Sequence, residues 1–354
     1  MTLVFTICSS NYLAQAKVLG DSLAESNPDC RFVIGLVDSL PTEVDLQLWM
    51  PHEVIPVADI CISEFDEMSA KYNIVELNTA VKPFYMEYFY EQDAAVDHVF
   101  YIDPDIMVLG SFSSLIEKLK SHNMIVTPHS CTYDDSKVNI SYEWAMLRAG
   151  IYNLGFLATS RSTETSAFLK WWQIRLREHC YYLTLPGLFV DQIWVILAQL
   201  YFKGFYVEKN PGYNMSYWNL FERELSFDGG KYKVNKSEVL VFYHFSSYNP
   251  DCPDRMTSRD SGEIIATFTE RPDLRPLFDD YQQRLIKAGI EDVRHIKCVY
   301  GRKPAVVEKV DENPSKLKLK KLLGALLCLL PQKLRAMIAR VAGCIMACCK
   351  NKSE

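Results

Sequence analysis

The sequence predicts an α/β fold with a mostly parallel central sheet flanked by helices, plus a C-terminal helical basic tail. Three observations carry that expectation. Strand-like runs alternate with helix-like stretches from Leu3 to His244, as in successive βα units. The 354 residues are 49% hydrophobic, enough to bury a large core. After "ENPSK" the composition changes abruptly to Lys, Leu, Ala and Cys, which marks a boundary near residue 312.

The elements follow in order. Leu3 to Cys8 is an apolar run of strand length, and Leu13 to Glu25 has helical spacing. Strands are expected at Phe32 to Val37 and Val54 to Val57, then one helix over Val75 to Gln92 leading into a strand at His98 to Ile102. Pro104 cannot extend a central strand, so the chain turns there. Helix Ser113 to Lys120, strands Met124 to Thr127 and Tyr152 to Thr159, and helices Glu164 to Glu178 and Asp191 to Phe202 come next. Val239 to His244 reads as the last core strand, and after a polar stretch Arg271 to Gly289 reads as one more helix. The expected organisation is an α/β domain over 1–250, a helical extension packed on it over 251–312, and a basic amphipathic tail over 313–354.

Six net negative charges argue against a nucleic-acid binder, which needs a basic face for phosphates. The tail differs. From Lys316 to Lys352 there are nine Lys or Arg and no acid. Leu334, Met337, Ile338, Val341, Ile345 and Cys348 follow helical spacing, flanked by Lys333 and Arg340. Such a segment suits an anionic membrane surface; the alternatives are a helix packed on the domain or a disordered tail. The longest apolar stretch, Leu322 to Leu330, is about half of the roughly 20 residues a bilayer span requires. Eleven cysteines without a CxxC pair fit a reducing compartment. Residues 1 to 12 lack the features of a signal peptide. The expected location is cytoplasmic, peripheral on the inner face of the cytoplasmic membrane.

The chemistry centres on "YIDPDIMVLG". Asp103 and Asp105, at i and i+2 around a tight turn beyond a buried strand, can direct oxygens at one hard divalent cation, which often keeps substrate phosphates in its shell. The alternative is a solvated turn, since turns favour Asp. His244 ends another apolar strand, and a mixed Asp and His set suits Mn2+ as well as Mg2+. In a mostly parallel sheet, ligands bind beyond the carboxyl ends of the strands.

The segments "TICSSNYLAQAKVLGDSL", "YIDPDIMVLG", "IYNLGFLATS", "GLFVDQIW", "GYNMSYWNL" and "YHFSSY", in this order and spacing, resemble metal-dependent glycosyltransferases of the GT-A fold, closest to the retaining enzymes of glycosyltransferase family 8. The resemblance covers most of residues 1–250 and makes that segment the catalytic domain. It implies Asp103, Asp105 and His244 as ligands of a metal, Mn2+ or Mg2+, that bridges the diphosphate of a nucleotide sugar. Asn11 and Tyr12 would hold the nucleoside, Lys82 would supply a cation near the phosphates, and Asn153 would face the donor or acceptor sugar. Asp191 and Gln192 would lie beside the reacting anomeric carbon; read from the residues alone, Asp191 is equally an N-cap.

Two departures stand out. Ser9 occupies the place where the family commonly has an aspartate that reads the base, which bears on the expectation of a UDP-sugar. Where the family often has a glycine and then a lysine after its histidine, this chain has Ser246, Ser247, Tyr248 and Asn249, leaving Arg255 or Arg259 for that charge. The expected reaction moves a hexose-type sugar to a hydroxyl of a glycan or glycolipid acceptor. Its rivals are a sugar nucleotidyltransferase, whose Gly-rich triphosphate loop has no counterpart in "ICSSNYLAQAK", and an inactive membrane-associated scaffold of the same fold.

Overall fold

The computed structural model describes residues 1–133, 137–183, 187–259 and 266–301. The basic tail lies outside the described residues. A seven-stranded sheet runs in the order Phe205–Val207, Met124–Pro128, Tyr152–Ser160, His98–Ile102, Thr2–Cys8, Arg31–Leu36 and Glu53–Pro56. Every pairing is parallel except the two made by Tyr152–Ser160, which is antiparallel to both neighbours. This is the α/β class that the alternation predicts.

Burial on both faces explains why the central strands read as continuous apolar runs. In Thr2–Cys8, Leu3, Phe5 and Ile7 pack with Phe84, Tyr85 and Phe89 of helix Lys82–Gln92, while Val4 packs with Leu19 and Leu23 of helix Leu13–Ser26 on the opposite face. His98–Ile102 divides the same way, Val99 and Tyr101 to the first side and Phe100 and Ile102 to the second. Strand and helix approach closely at Gly35, where a Cβ would lie 2.9 Å from the Tyr85 ring.

Two expected elements come out divided. Val75 to Gln92 is two helices, Ile74–Ala80 and Lys82–Gln92. Asn73 and Glu76 close a capping box on the first, and Pro83, which has no N–H to donate backward, opens the second. Val239 to His244 belongs to two sheets. Glu238–Val239 pairs with Lys231–Val234 in a small antiparallel sheet, whereas Phe242–His244 pairs with Ile106–Val108. The change of partner falls between Leu240, whose N–H donates to Tyr232 O, and Val241, whose N–H donates to Gly212 O.

Helix Arg275–Lys287 lies against helix Leu13–Ser26 through Leu277, Phe278, Tyr281 and Leu285. Tyr281 stacks on Phe245 at 3.7 Å, one residue beyond His244. The chain after residue 266 therefore braces the strand that carries the histidine. Among the described residues no helix is long and apolar enough to cross a membrane.

Candidate metal and donor site

The acidic turn and His244 meet because a short ribbon joins them. The Asp103 N–H donates to Gly155 O at 2.8 Å, and the Ile106 N–H returns to Asp103 O at 3.2 Å, closing the turn around Pro104. Ile106–Val108 then pairs antiparallel with Phe242–His244, with His244 opposite Ile106, and the Phe245 N–H donates to Asp105 O at 2.8 Å. His244 Nε2 lies 3.0 Å from Asp105 Oδ1 and 3.7 Å from Asp103 Oδ2.

One ligand atom from each of Asp103, Asp105 and His244 falls within 4.8 Å of the others. Opposite ligands of an octahedral ion with bonds of about 2.1 Å are roughly 4.2 Å apart, so small side-chain rotations suffice to close the set on one cation. Charge favours the same occupant. Burial disfavours a charged imidazole, yet Asp105 and Asp103 hold the His244 pKa above its usual value. Burial likewise opposes ionisation of Asp105, but His244 outweighs it and holds that carboxyl below its usual range. Gly155 makes room, since a Cβ there would sit 2.6 Å from His244 Cε1.

Lys82 ties this cluster to a second one. It opens helix Lys82–Gln92 and is 4% exposed. Its Nζ contacts Asp191 Oδ2 at 2.8 Å, donates to Leu154 O at 3.1 Å, lies 3.8 Å from Asp103 Oδ1 and sits 4.1 Å above the Tyr101 ring. Burial opposes its charge, but Asp191 and Asp103 reverse the effect and raise its pKa. Burial pushes Asp191 up, and Lys82 only partly offsets it. Asp191 stands at the N-cap position of helix Gln192–Tyr201 without making a cap hydrogen bond; its carboxylate is committed to Lys82 instead. Gln192 is oriented by donation from Nε2 to Ala149 O at 2.8 Å.

All nine residues singled out in the sequence, Asn11, Tyr12, Lys82, Asp103, Asp105, Asn153, Asp191, Gln192 and His244, line one cavity of about 640 Å3. Of the two arginines, Arg259 reaches it, donating from Nε to Ser247 Oγ at 3.1 Å, while Arg255 is not part of the lining. Ser9 is buried, its hydroxyl donating to Asn78 Oδ1 at 3.2 Å and accepting from Asn78 Nδ2 at 3.1 Å; it is Asn78 that lines the cavity. The Asn153 amide is engaged at both ends, accepting from the Gly155 N–H at 3.1 Å and facing His129 Nε2 at 3.4 Å.

Sequence reading missed Tyr101, whose hydroxyl donates to Asp103 Oδ1 at 2.5 Å, and helix Lys137–Ala149, which lines the cavity with Tyr142, Ala145, Met146 and Ala149. The second carried a readable signal, because those four residues repeat at helical spacing. A phenol at the end of an apolar strand carries none.

No protein-family model matches the chain. It is 25% identical over 287 residues to the uncharacterized protein YfnF of Bacillus subtilis (strain 168), covering 79% of this chain and 90% of that one. Among solved structures it is similar to the galactosyltransferase LgtC in complex with donor and acceptor sugar analogs, at 16% identity and a TM-score of 0.45, covering 84% of this chain and 98% of that one. It is also similar to the glycosyltransferase GlyE of Streptococcus pneumoniae TIGR4, at 15% identity and a TM-score of 0.44, covering 85% of this chain and 65% of that one. Mouse xyloside xylosyltransferase 1 is similar at 12% identity and a TM-score of 0.40, covering 69% of this chain and 97% of that one.

Proposed function

We propose that the chain is a metal-dependent glycosyltransferase of GT-A type, moving a hexose from a UDP-sugar to a hydroxyl of a glycan or glycolipid acceptor with retention of anomeric configuration. The observation that carries this reading is the convergence of the Asp103, Asp105 and His244 ligand set with the Lys82–Asp191 pair and Gln192 on one cavity, within the size range of small-molecule sites. Those three side chains would hold a divalent cation, which when bound would supply Lewis-acid neutralisation of a diphosphate leaving group.

The chain's own residues do the rest. Lys82 fixes the Asp191 carboxylate, which in this reading accepts hydrogen bonds from sugar hydroxyls. The Gln192 side chain, anchored through its nitrogen, offers its amide oxygen to the positive charge that grows on the anomeric carbon. Arg259, on the rim beside Ser247, supplies a fixed cation for the diphosphate. Asn11 and Tyr12 wall the nucleoside end. As the sugar–phosphate bond breaks, the acceptor oxygen attacks from the same face and its proton passes to a leaving phosphate oxygen.

Nucleotide sugars screened by thermal shift with Mn2+ test the reading. A true donor at one hundred times its Kd stabilises the fold by about 2.7 kcal/mol, a rise in Tm of about 5 °C. The same donor is expected to release its nucleoside diphosphate slowly and only with the metal present. If no nucleotide sugar shifts Tm and none is turned over with Mn2+, the proposal fails.

A further inference from the structure

Behind His244, on the side away from the carboxylates, lies a chain of amides that the proposed chemistry does not use. Asn214 is completely buried and holds a left-handed φ of 55°, a conformation Asn tolerates better than most residues. Its Nδ2 donates to Thr127 Oγ1 at 2.8 Å and to Asn153 Oδ1 at 3.0 Å, and its Oδ1 faces His244 Nδ1 at 3.3 Å.

The direction of each hydrogen bond follows from the one before. The Gly155 backbone N–H can only donate, so the Asn153 group it meets at 3.1 Å is the oxygen. That oxygen also meets Asn214, so the Asn214 group facing it is the nitrogen. Thr127 agrees, because its hydroxyl hydrogen points to Asn153 O and leaves a lone pair for the same nitrogen. The Asn214 oxygen is therefore turned toward His244, where it accepts only from a protonated Nδ1. With the Nδ1 proton committed to Asn214, the lone pair that a neutral imidazole offers a cation is on Nε2, the nitrogen whose proton otherwise meets Asp105 Oδ1 at 3.0 Å.

We propose that Asn214 is a positioning residue for the metal site: oriented by Asn153 and Thr127, it holds His244 in the tautomer and rotation that present Nε2 to a divalent cation. This rests on the metal-dependent reading above. Burying an amide this deep is costly unless its hydrogen bonds are made, and here the nitrogen is held by Thr127 and Asn153 while the oxygen is turned to the ligand's Nδ1.

The test is Mn2+ binding by the full chain without donor, followed by electron paramagnetic resonance, alongside Tm measured without metal. Asn214→Gly keeps the left-handed backbone and removes the amide, so Mn2+ affinity is expected to fall about 10- to 100-fold. Asn214→Asp loses both donated hydrogen bonds but keeps an oxygen for Nδ1–H; its Tm is expected to fall while its Mn2+ affinity stays within about threefold of wild type. Should Asn214→Gly not fold, the isosteric Thr127→Val frees the amide to rotate and is expected to weaken Mn2+ about tenfold, at the low end of the range for losing such support. Wild-type affinity in the folded Asn214→Gly or Thr127→Val variant overturns the proposal. So does equal loss of affinity in Asn214→Gly and Asn214→Asp, the outcome for a residue that only packs. A wild-type chain that binds no Mn2+ overturns the metal-dependent reading itself, a result separate from either of these.

Discussion

Replacing Asp103 and Asp105 together with asparagine is expected to lower kcat/KM by roughly 1000-fold or more, because losing the cation removes several kcal/mol of transition-state stabilisation. The fold should survive. Both side chains are partly exposed at 27% and 21%, asparagine has nearly the same shape, and two crowded carboxylates disappear. Tm without metal is expected to fall by only a few degrees at pH 7, because relief of the two crowded carboxylates partly offsets the lost pairing with His244, and the rise in Tm caused by Mn2+ should vanish.

The pH dependence of the metal-free proteins gives a second reading of the same pair. His244 has a folded-state pKa above its unfolded value of about 6.5, since Asp105 and Asp103 outweigh the cost of burial. It therefore contributes stability that is complete below pH 6.5 and is lost as pH rises through the folded value. Metal-free wild type should lose Tm from pH 6 to pH 8 more steeply than the double variant, in which that charge pairing is gone. Equal slopes would mean that the carboxylates do not hold the imidazole. Full activity in the double variant would remove the proposed centre altogether.

How much of this was legible in the residues depends on what kind of interaction made each feature. The acidic turn was legible because Pro104 ends a buried strand and puts Asp103 and Asp105 at its carboxyl end, a local event. His244 was legible for the same reason, at the end of an apolar run. That the three would meet is a tertiary fact, produced by the pairing of Ile106–Val108 with Phe242–His244. The break at Val239 to His244 was hidden, since one apolar run serves two sheets and its periodicity does not record a change of partner. The role of Lys82 was only half legible. Its place on a helix could be read, and the family resemblance puts its cation near the phosphates, but neither says that its ammonium is buried between Asp191 and Asp103. Asn214 carries no local signal at all, because its meaning lies in the oxygen of Asn153 and the proton of His244.

The burial of Lys82 leads to the largest expected change in stability. Lys82→Met retains most of the side-chain volume but leaves the Asp191 carboxylate buried at 2% exposure with its cation gone. Breaking one half of a buried pair costs about 3 to 5 kcal/mol, so a large fall in Tm is expected at pH 7. The sign of the pH effect follows from Asp191. Its carboxyl is already pushed up by burial, Asp103 adds to that push, and without Lys82 only a hydrogen bond from its own backbone opposes it. A folded-state pKa above the unfolded value of about 3.9 means that the folded chain keeps the proton longer, so the variant loses stability as pH rises from 4 toward 7. Adding Asp191→Asn removes the charge, and the double variant Lys82→Met with Asp191→Asn should regain at least half of the lost Tm at pH 7 with no dependence on pH in that range. Both variants are expected to be inactive, because Asp191 is the group proposed to hold the donor sugar and Lys82 is what holds Asp191. With Asp191→Asn alone completing the cycle, a coupling free energy of roughly 1 to 3 kcal/mol would be the size expected of direct partners. Additive losses would instead mean that Lys82 is stabilised by Leu154 O and the Tyr101 ring, and that its contact with Asp191 joins the two halves of the site in geometry but not in energy.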